Sequence, residues 1–194
     1  MKLNLPTKLT VLRLILIPFC MISIIYSIFP GDIIWRIVAV LLFVITSFTD
    51  MLDGKIARKY NLVTDLGKFL DPLADKMLVI GVLIAITVRY AEFNLQFCRI
   101  LGWALFVIIL REMSVTLLRM IAANKEGIVI SAAWLGKVKT TVQMTAIVII
   151  LLEPLLPATN MVMSYIMVTA MLVLTLWSGI NYFKAYIPVL KSEK

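Results

Sequence analysis

Histidine is absent from this chain of 194 residues. That excludes imidazole metal ligands, histidine general bases and phosphohistidine chemistry, and leaves carboxylates, lysines and hydroxyls to carry any reaction. Cysteine is scarce as well. Cys20 and Cys98 stand far apart, without metal-ligand spacing or the dense pattern of a disulfide framework, and both read as packing residues. Charge is thin at 15% of residues, against about 25% in ordinary soluble domains. With 62% of residues hydrophobic, a water-soluble fold is excluded. A formal net charge of +8 in a soluble protein would point to nucleic acid. In a membrane protein it reads as cytoplasmic segments facing anionic headgroups, so no nucleic-acid partner is expected.

What is present is a series of apolar runs, each near the length of about 20 residues that a membrane crossing needs. Candidate spans fall at Val11–Phe29, Ile33–Thr49, Leu73–Val88, Ile100–Met120, Val138–Leu152 and Met161–Tyr182. The expected fold is all-α and integral to the membrane, with six transmembrane helices in a single domain over residues 1–194. Turns rich in helix stops, Pro30-Gly31-Asp32 and Pro154 to Asn160, join antiparallel neighbours. The first run follows Lys2, Lys8 and Arg13 but lacks a small-residue cleavage site, so it is expected to remain as a helix. Most lysines and arginines fall in the amino end, Asp50–Pro72, Ala122–Lys137 and the carboxyl tail. Those segments, and with them both termini, are expected on the cytoplasmic side.

Between the second and third runs stand four aspartates at helical spacing. Asp50 and Asp53 are three apart, and Asp71 and Asp75 four apart, so each pair shares a helix face. Two such helix ends facing each other bring four carboxylates to one point. Carboxylates that close repel one another unless protonated or neutralised by cations. An all-oxygen donor set suits Mg²⁺, which takes carboxylates together with substrate phosphates. Two such ions can clamp both oxygens of a phosphoryl displacement. Gly54 leaves room for a ligand near the helix backbone, and Arg58, one turn on, can form paired hydrogen bonds with a phosphate.

The segment Asp50 to Asp75 resembles the CDP-alcohol phosphotransferases, whose signature reads D-x2-D-G-x2-A-R-x8-G-x3-D-x3-D. Asp50, Asp53, Gly54, Ala57, Arg58, Gly67, Asp71 and Asp75 match it without a gap. The resemblance implies a cytoplasmic-side site in which Asp50, Asp53, Asp71 and Asp75 hold two ions, Mg²⁺ or Mn²⁺. It also implies that Asp75 serves as general base and that Gly54, Ala57, Arg58 and Gly67 line the nucleotide and diphosphate pocket. A homodimer in a lipid membrane is the family's form, and a bacterial inner membrane is the expected location, since no eukaryotic targeting segment is evident.

Arg111-Glu112 lies near the middle of the fourth run, where an arginine costs about 2.5–3.5 kcal/mol on insertion scales. It therefore needs a partner or a wet cavity. Neighbours in sequence do not face each other on a helix, so Glu112 is expected to be a poor partner. Arg119 lies about two turns on, and Lys137 and Lys139 open the fifth run. Arg111, Arg119, Lys137 and Lys139 are expected to line a basic pocket that holds an acceptor's phosphate. The stretches Arg111 to Arg119 and Gly136 to Thr140, with Pro6, Thr10, Arg13, Ser178-Gly179 and Tyr182-Phe183, are similar to one branch of the family. That branch joins CDP-diacylglycerol to sn-glycerol 3-phosphate, releasing CMP. Two positions depart from it: Thr7 stands where asparagine is expected, and Leu117 where glycine is. Other readings are the same chemistry with inositol phosphate as acceptor, a small transporter, or an inactive scaffold that keeps the fold.

Overall fold

The computed structural model describes residues 4–27, 33–59, 65–126, 134–156 and 159–191. The side chains of 50–59, 65–69, 122–126 and 187–191, with those of a few isolated positions, lie outside that description. So do the Pro30-Gly31-Asp32 turn and residues 127–133 of the fourth connection.

Six long helices follow in order: α1 (Leu5–Ser27), α2 (Ile33–Lys59), α3 (Asp65–Phe93), α4 (Leu95–Glu126), α5 (Trp134–Leu152) and α6 (Val162–Lys191). A short 3₁₀ turn, Glu153–Leu155, follows α5. The boundaries have local causes. Asn94 alone separates α3 from α4, and its Oδ1 accepts from the Phe97 backbone N–H at 3.0 Å, as an N-cap does. Glu153, almost fully buried, accepts from the backbone N–H groups of Met163 (2.9 Å) and Ser164 (2.5 Å), satisfying donors at the start of α6. Asn160 and Met161 take left-handed φ of 46° and 62° in the turn just before it.

Among the described residues, four helical stretches are long and apolar enough to cross a membrane, over Thr7–Tyr26, Leu95–Ile121, Trp134–Leu155 and Val162–Tyr186. In α2 the described apolar stretch is Arg36–Thr49, bounded on both sides by positions outside the described side chains, and in α3 Lys76 and Arg89 bracket the uncharged Met77–Val88. Both helices continue past their apolar parts, so the aspartate-bearing stretches are helix ends rather than loop.

Helix α1 packs on α2 and α3, α3 on α4, and α6 on both α4 and α5. The core joins Ile17, Cys20 and Ile24 of α1 to Phe43 of α2 and to Leu78, Val82 and Ile86 of α3. Leu101 and Ile108 of α4, Ile147 and Ile150 of α5 and Met171 of α6 complete it. Cys20 is fully buried and Cys98 partly so; both are free thiols, as packing residues should be. Gly81 lets α1 and α3 approach closely: a Cβ there would lie 3.0 Å from Met21 Sδ. In lipid, where water drives no helix association, such close backbone approach supplies much of the attraction.

Candidate active site

Asp71 and Asp75 lie one turn apart on α3, beside Pro72, and α1 holds both from the opposite side. Thr10 Oγ1 donates to Asp71 Oδ1 at 2.6 Å, and Arg13 Nη1 contacts Asp75 Oδ1 at 3.0 Å. Thr10 and Arg13 are wholly buried, whereas the Asp75 side chain is 50% exposed. A buried guanidinium therefore fixes one oxygen of a carboxylate whose other side stays open. Arg13 thereby orients Asp75 through a charge-assisted contact. Thr10 and Arg13 match the family branch in sequence, but their partners, more than sixty positions away, were not signalled there.

Asp50, Asp53, Gly54, Ala57 and Arg58 lie on the last turns of α2, and Gly67 on the first turn of α3. Their side chains are outside the described residues, so only the two aspartates of α3 are placed atom by atom. Among the described residues no group of three acidic, cysteine or histidine side chains converges. The donor set nevertheless fits hard cations. It is all carboxylate, its aspartates fall at one-turn spacing on helix ends, and Asp75 opens outward.

Asp75 also lines a cavity of about 760 Å³ between α3, α4, α5 and α6. Its walls carry Lys76, Arg111, Arg119, Lys137 and Lys139 against the carboxylates of Asp75 and Glu112. The four cations expected to form a basic pocket are thus brought together, and beside an aspartate. Lys76, next to Asp75, is a fifth cation that spacing did not single out; its Nζ donates to Thr116 Oγ1.

The expectation for Glu112 is corrected. Arg111 Nη1 reaches back to Glu112 Oε1 at 3.0 Å, and Lys139 Nζ contacts the same oxygen. Adjacent Cβ atoms do diverge on a helix, but the guanidinium stem is long enough to fold over one step of backbone. The three side chains are 10%, 14% and 6% exposed, so this is a buried triad in which one carboxylate serves two cations and one positive charge is left over.

Tyr182 of α6 closes the wall. Arg119 Nη2 donates to its hydroxyl oxygen at 2.5 Å. The guanidinium carbons of Arg111 and Arg119 lie 5.2 and 4.9 Å from its ring centroid, within cation–π range. Two glycines make this fit possible. A Cβ at Gly179 would meet Arg111 Cγ at 3.2 Å, and one at Gly136 would meet the Tyr182 hydroxyl at 3.3 Å.

Two effects follow from these contacts. Gly179→Ala pushes Arg111 off its seat; overpacking of this kind costs about 1–3 kcal/mol, and the cavity should lose affinity for a phosphate-bearing ligand more than the protein loses thermal stability. Isothermal titration of the ligand alongside a melting curve checks this. Thr10→Val removes a hydrogen bond to an ionised carboxylate, a change of about 1.5–3 kcal/mol. That variant's thermal midpoint should fall by several degrees, read from a melting curve in detergent.

The chain belongs to the CDP-alcohol phosphatidyltransferase family, whose sequence pattern matches residues 3–177. It is 42% identical over 160 residues to the CDP-diacylglycerol–glycerol-3-phosphate 3-phosphatidyltransferase of Bacillus subtilis, covering 78% of either chain. It is 36% identical over 188 residues to the protein of the same name from Salmonella choleraesuis, covering 95% of this chain and 96% of that one. The Shigella flexneri protein of that name matches equally, at 36% over 188 residues.

Proposed function

We propose that this membrane enzyme transfers the phosphatidyl group of CDP-diacylglycerol to sn-glycerol 3-phosphate, giving phosphatidylglycerophosphate and CMP. The observation that carries this reading is the single cavity joining Asp75 to Arg111, Arg119, Lys137 and Lys139. A neutral or cationic alcohol gains nothing from such a wall, whereas a phosphate dianion does. The names of relatives at 36–42% identity agree with the choice of acceptor.

Asp75 accepts the proton of the acceptor's primary hydroxyl, whose oxygen attacks the lipid-bearing phosphorus. The bond from that phosphorus to the bridging oxygen breaks, and CMP leaves with the electron pair. Asp50, Asp53, Asp71 and Asp75 would hold two Mg²⁺ or Mn²⁺ ions, which supply charge neutralisation for the diphosphate. Arg13 orients Asp75, and the cations of the cavity seat the acceptor so that its hydroxyl faces that carboxylate. Gly54, Ala57, Arg58 and Gly67 would line the nucleotide pocket. The chain would cross a bacterial inner membrane six times as a homodimer, with both termini and the site cytoplasmic. The acyl chains then stay in lipid while the diphosphate reaches the aspartates.

The test is purified protein with CDP-diacylglycerol and Mg²⁺, given sn-glycerol 3-phosphate, inositol phosphate, serine or phosphatidylglycerol in turn, with products weighed by mass spectrometry. Phosphatidylglycerophosphate forming with the first alone is expected. Reaction with another acceptor instead would retain the chemistry and overturn the reading of the cavity, and no CMP with any of them would overturn both.

A further inference from the structure

A second charged cluster lies at the other end of the molecule, and the transfer reaction has no use for it. Arg36 stands 14 residues before Asp50 on α2, and Arg89 stands 14 residues after Asp75 on α3. Each separation is about 21 Å of helix, so both arginines sit at matching depth toward the membrane face opposite the aspartates. Both are nearly enclosed, at 7% and 4% exposure, and Arg36 lies within electrostatic range of Arg89 and Tyr90.

Their surroundings differ. Arg89 Nη1 contacts Glu92 Oε2 at 2.6 Å, and its guanidinium carbon lies 4.0 Å from the Phe93 ring centroid. No described residue accepts a hydrogen bond from Arg36, and its Nη1 is buried without a partner. Glu153, the nearby buried carboxylate on the Tyr90 side, is spent on Met163 and Ser164 at the start of α6. Glu92 is a surface group, its side chain 69% exposed. A guanidinium enclosed at membrane depth beside a second one needs an anion, and guanidinium geometry matches phosphate oxygens in pairs.

We propose that Arg36, with Arg89 beside it, binds the phosphate of an anionic phospholipid headgroup at the face opposite the active site. Two observations favour a lipid over free phosphate. Ile33, Ile34 and Ile37 on α2 and Phe93 and Leu95 beyond Arg89 are all exposed, giving acyl chains an apolar surface next to the arginines. The arginines also stand near helix ends, Arg36 fourth from the start of α2 and Arg89 fifth from the end of α3, where headgroups and snorkelling side chains meet.

The experiment uses the full chain, purified and stripped of lipid in detergent, with its thermal midpoint followed against dihexanoyl phosphatidylglycerol, dihexanoyl phosphatidylcholine and inorganic phosphate. The wild type should gain about 4 °C with near-saturating dihexanoyl phosphatidylglycerol and clearly less with either of the others at equal concentration. Arg36→Met should lose that gain, show no lower midpoint without lipid, and release CMP within about twofold of wild type. The fork-lacking but charged Arg36→Lys should keep only part of the gain. A gain that survives undiminished in Arg36→Met, or in Arg36→Lys should the first variant not fold, overturns the proposal. So does no gain in the wild type, or an equal gain from inorganic phosphate. Failure of CMP release in the wild type would strike the proposed reaction and leave the lipid shift standing.

Discussion

Asp75→Asn should abolish CMP release to below about one part in a thousand of wild type, while the protein still folds and melts near the wild-type temperature. General-base catalysis alone accounts for about 10²–10⁴-fold, and the lost carboxylate charge adds to it. The Asp75 side chain is half exposed and an amide oxygen still accepts from Arg13, so the loss of stability should be smaller than for a fully enclosed pair. Steady-state assay of CMP together with a melting curve in detergent checks both halves. The diagnostic feature is the split: a variant that lost activity by unfolding would lose both together. Arg13→Leu should show a milder form of the same loss of turnover, because it leaves the carboxylate without its positioning partner but does not remove the base.

Glu112→Gln should be the most damaging conservative substitution for stability. The carboxylate serves Arg111 and Lys139 at once, and all three side chains are largely enclosed. Breaking a buried pair by removing one partner costs about 3–5 kcal/mol, because the surviving charge is left uncompensated. Here two cations survive. The midpoint of thermal or denaturant unfolding should therefore fall by many degrees, and pairing the change with Lys139→Met should restore part of the loss. Additive losses in the double variant would mean that Glu112 and Lys139 are not coupled.

The aspartate end of the fold was readable because its information is local. One-turn spacing within Asp50 to Asp53 and Asp71 to Asp75 implies shared helix faces whatever the rest of the chain does, and α2 and α3 do run through those stretches. Arg111 was equally conspicuous, as an unscreened charge inside an apolar run. Contacts made by one helix reaching across another were not readable. Thr10, Arg13 and Tyr182 match the family branch in sequence, but what they touch is set only when α1 is laid on α3 and α6 on α4. The Arg111 to Glu112 contact was misjudged for a different reason. Spacing rules describe Cβ directions, and an arginine head lies several bonds beyond its Cβ.

The most direct test of the central claim, that the cavity beside Asp75 seats the acceptor's phosphate, is a KM comparison for both substrates in wild type and in an Arg111→Met, Lys137→Met double variant. The KM for sn-glycerol 3-phosphate should rise at least about a hundredfold, in line with two lost charge-assisted contacts of about 1.5–3 kcal/mol each, while the KM for CDP-diacylglycerol stays within about threefold. The reverse pattern, with CDP-diacylglycerol binding lost and the acceptor KM unchanged, would contradict it and assign the cavity to the nucleotide lipid.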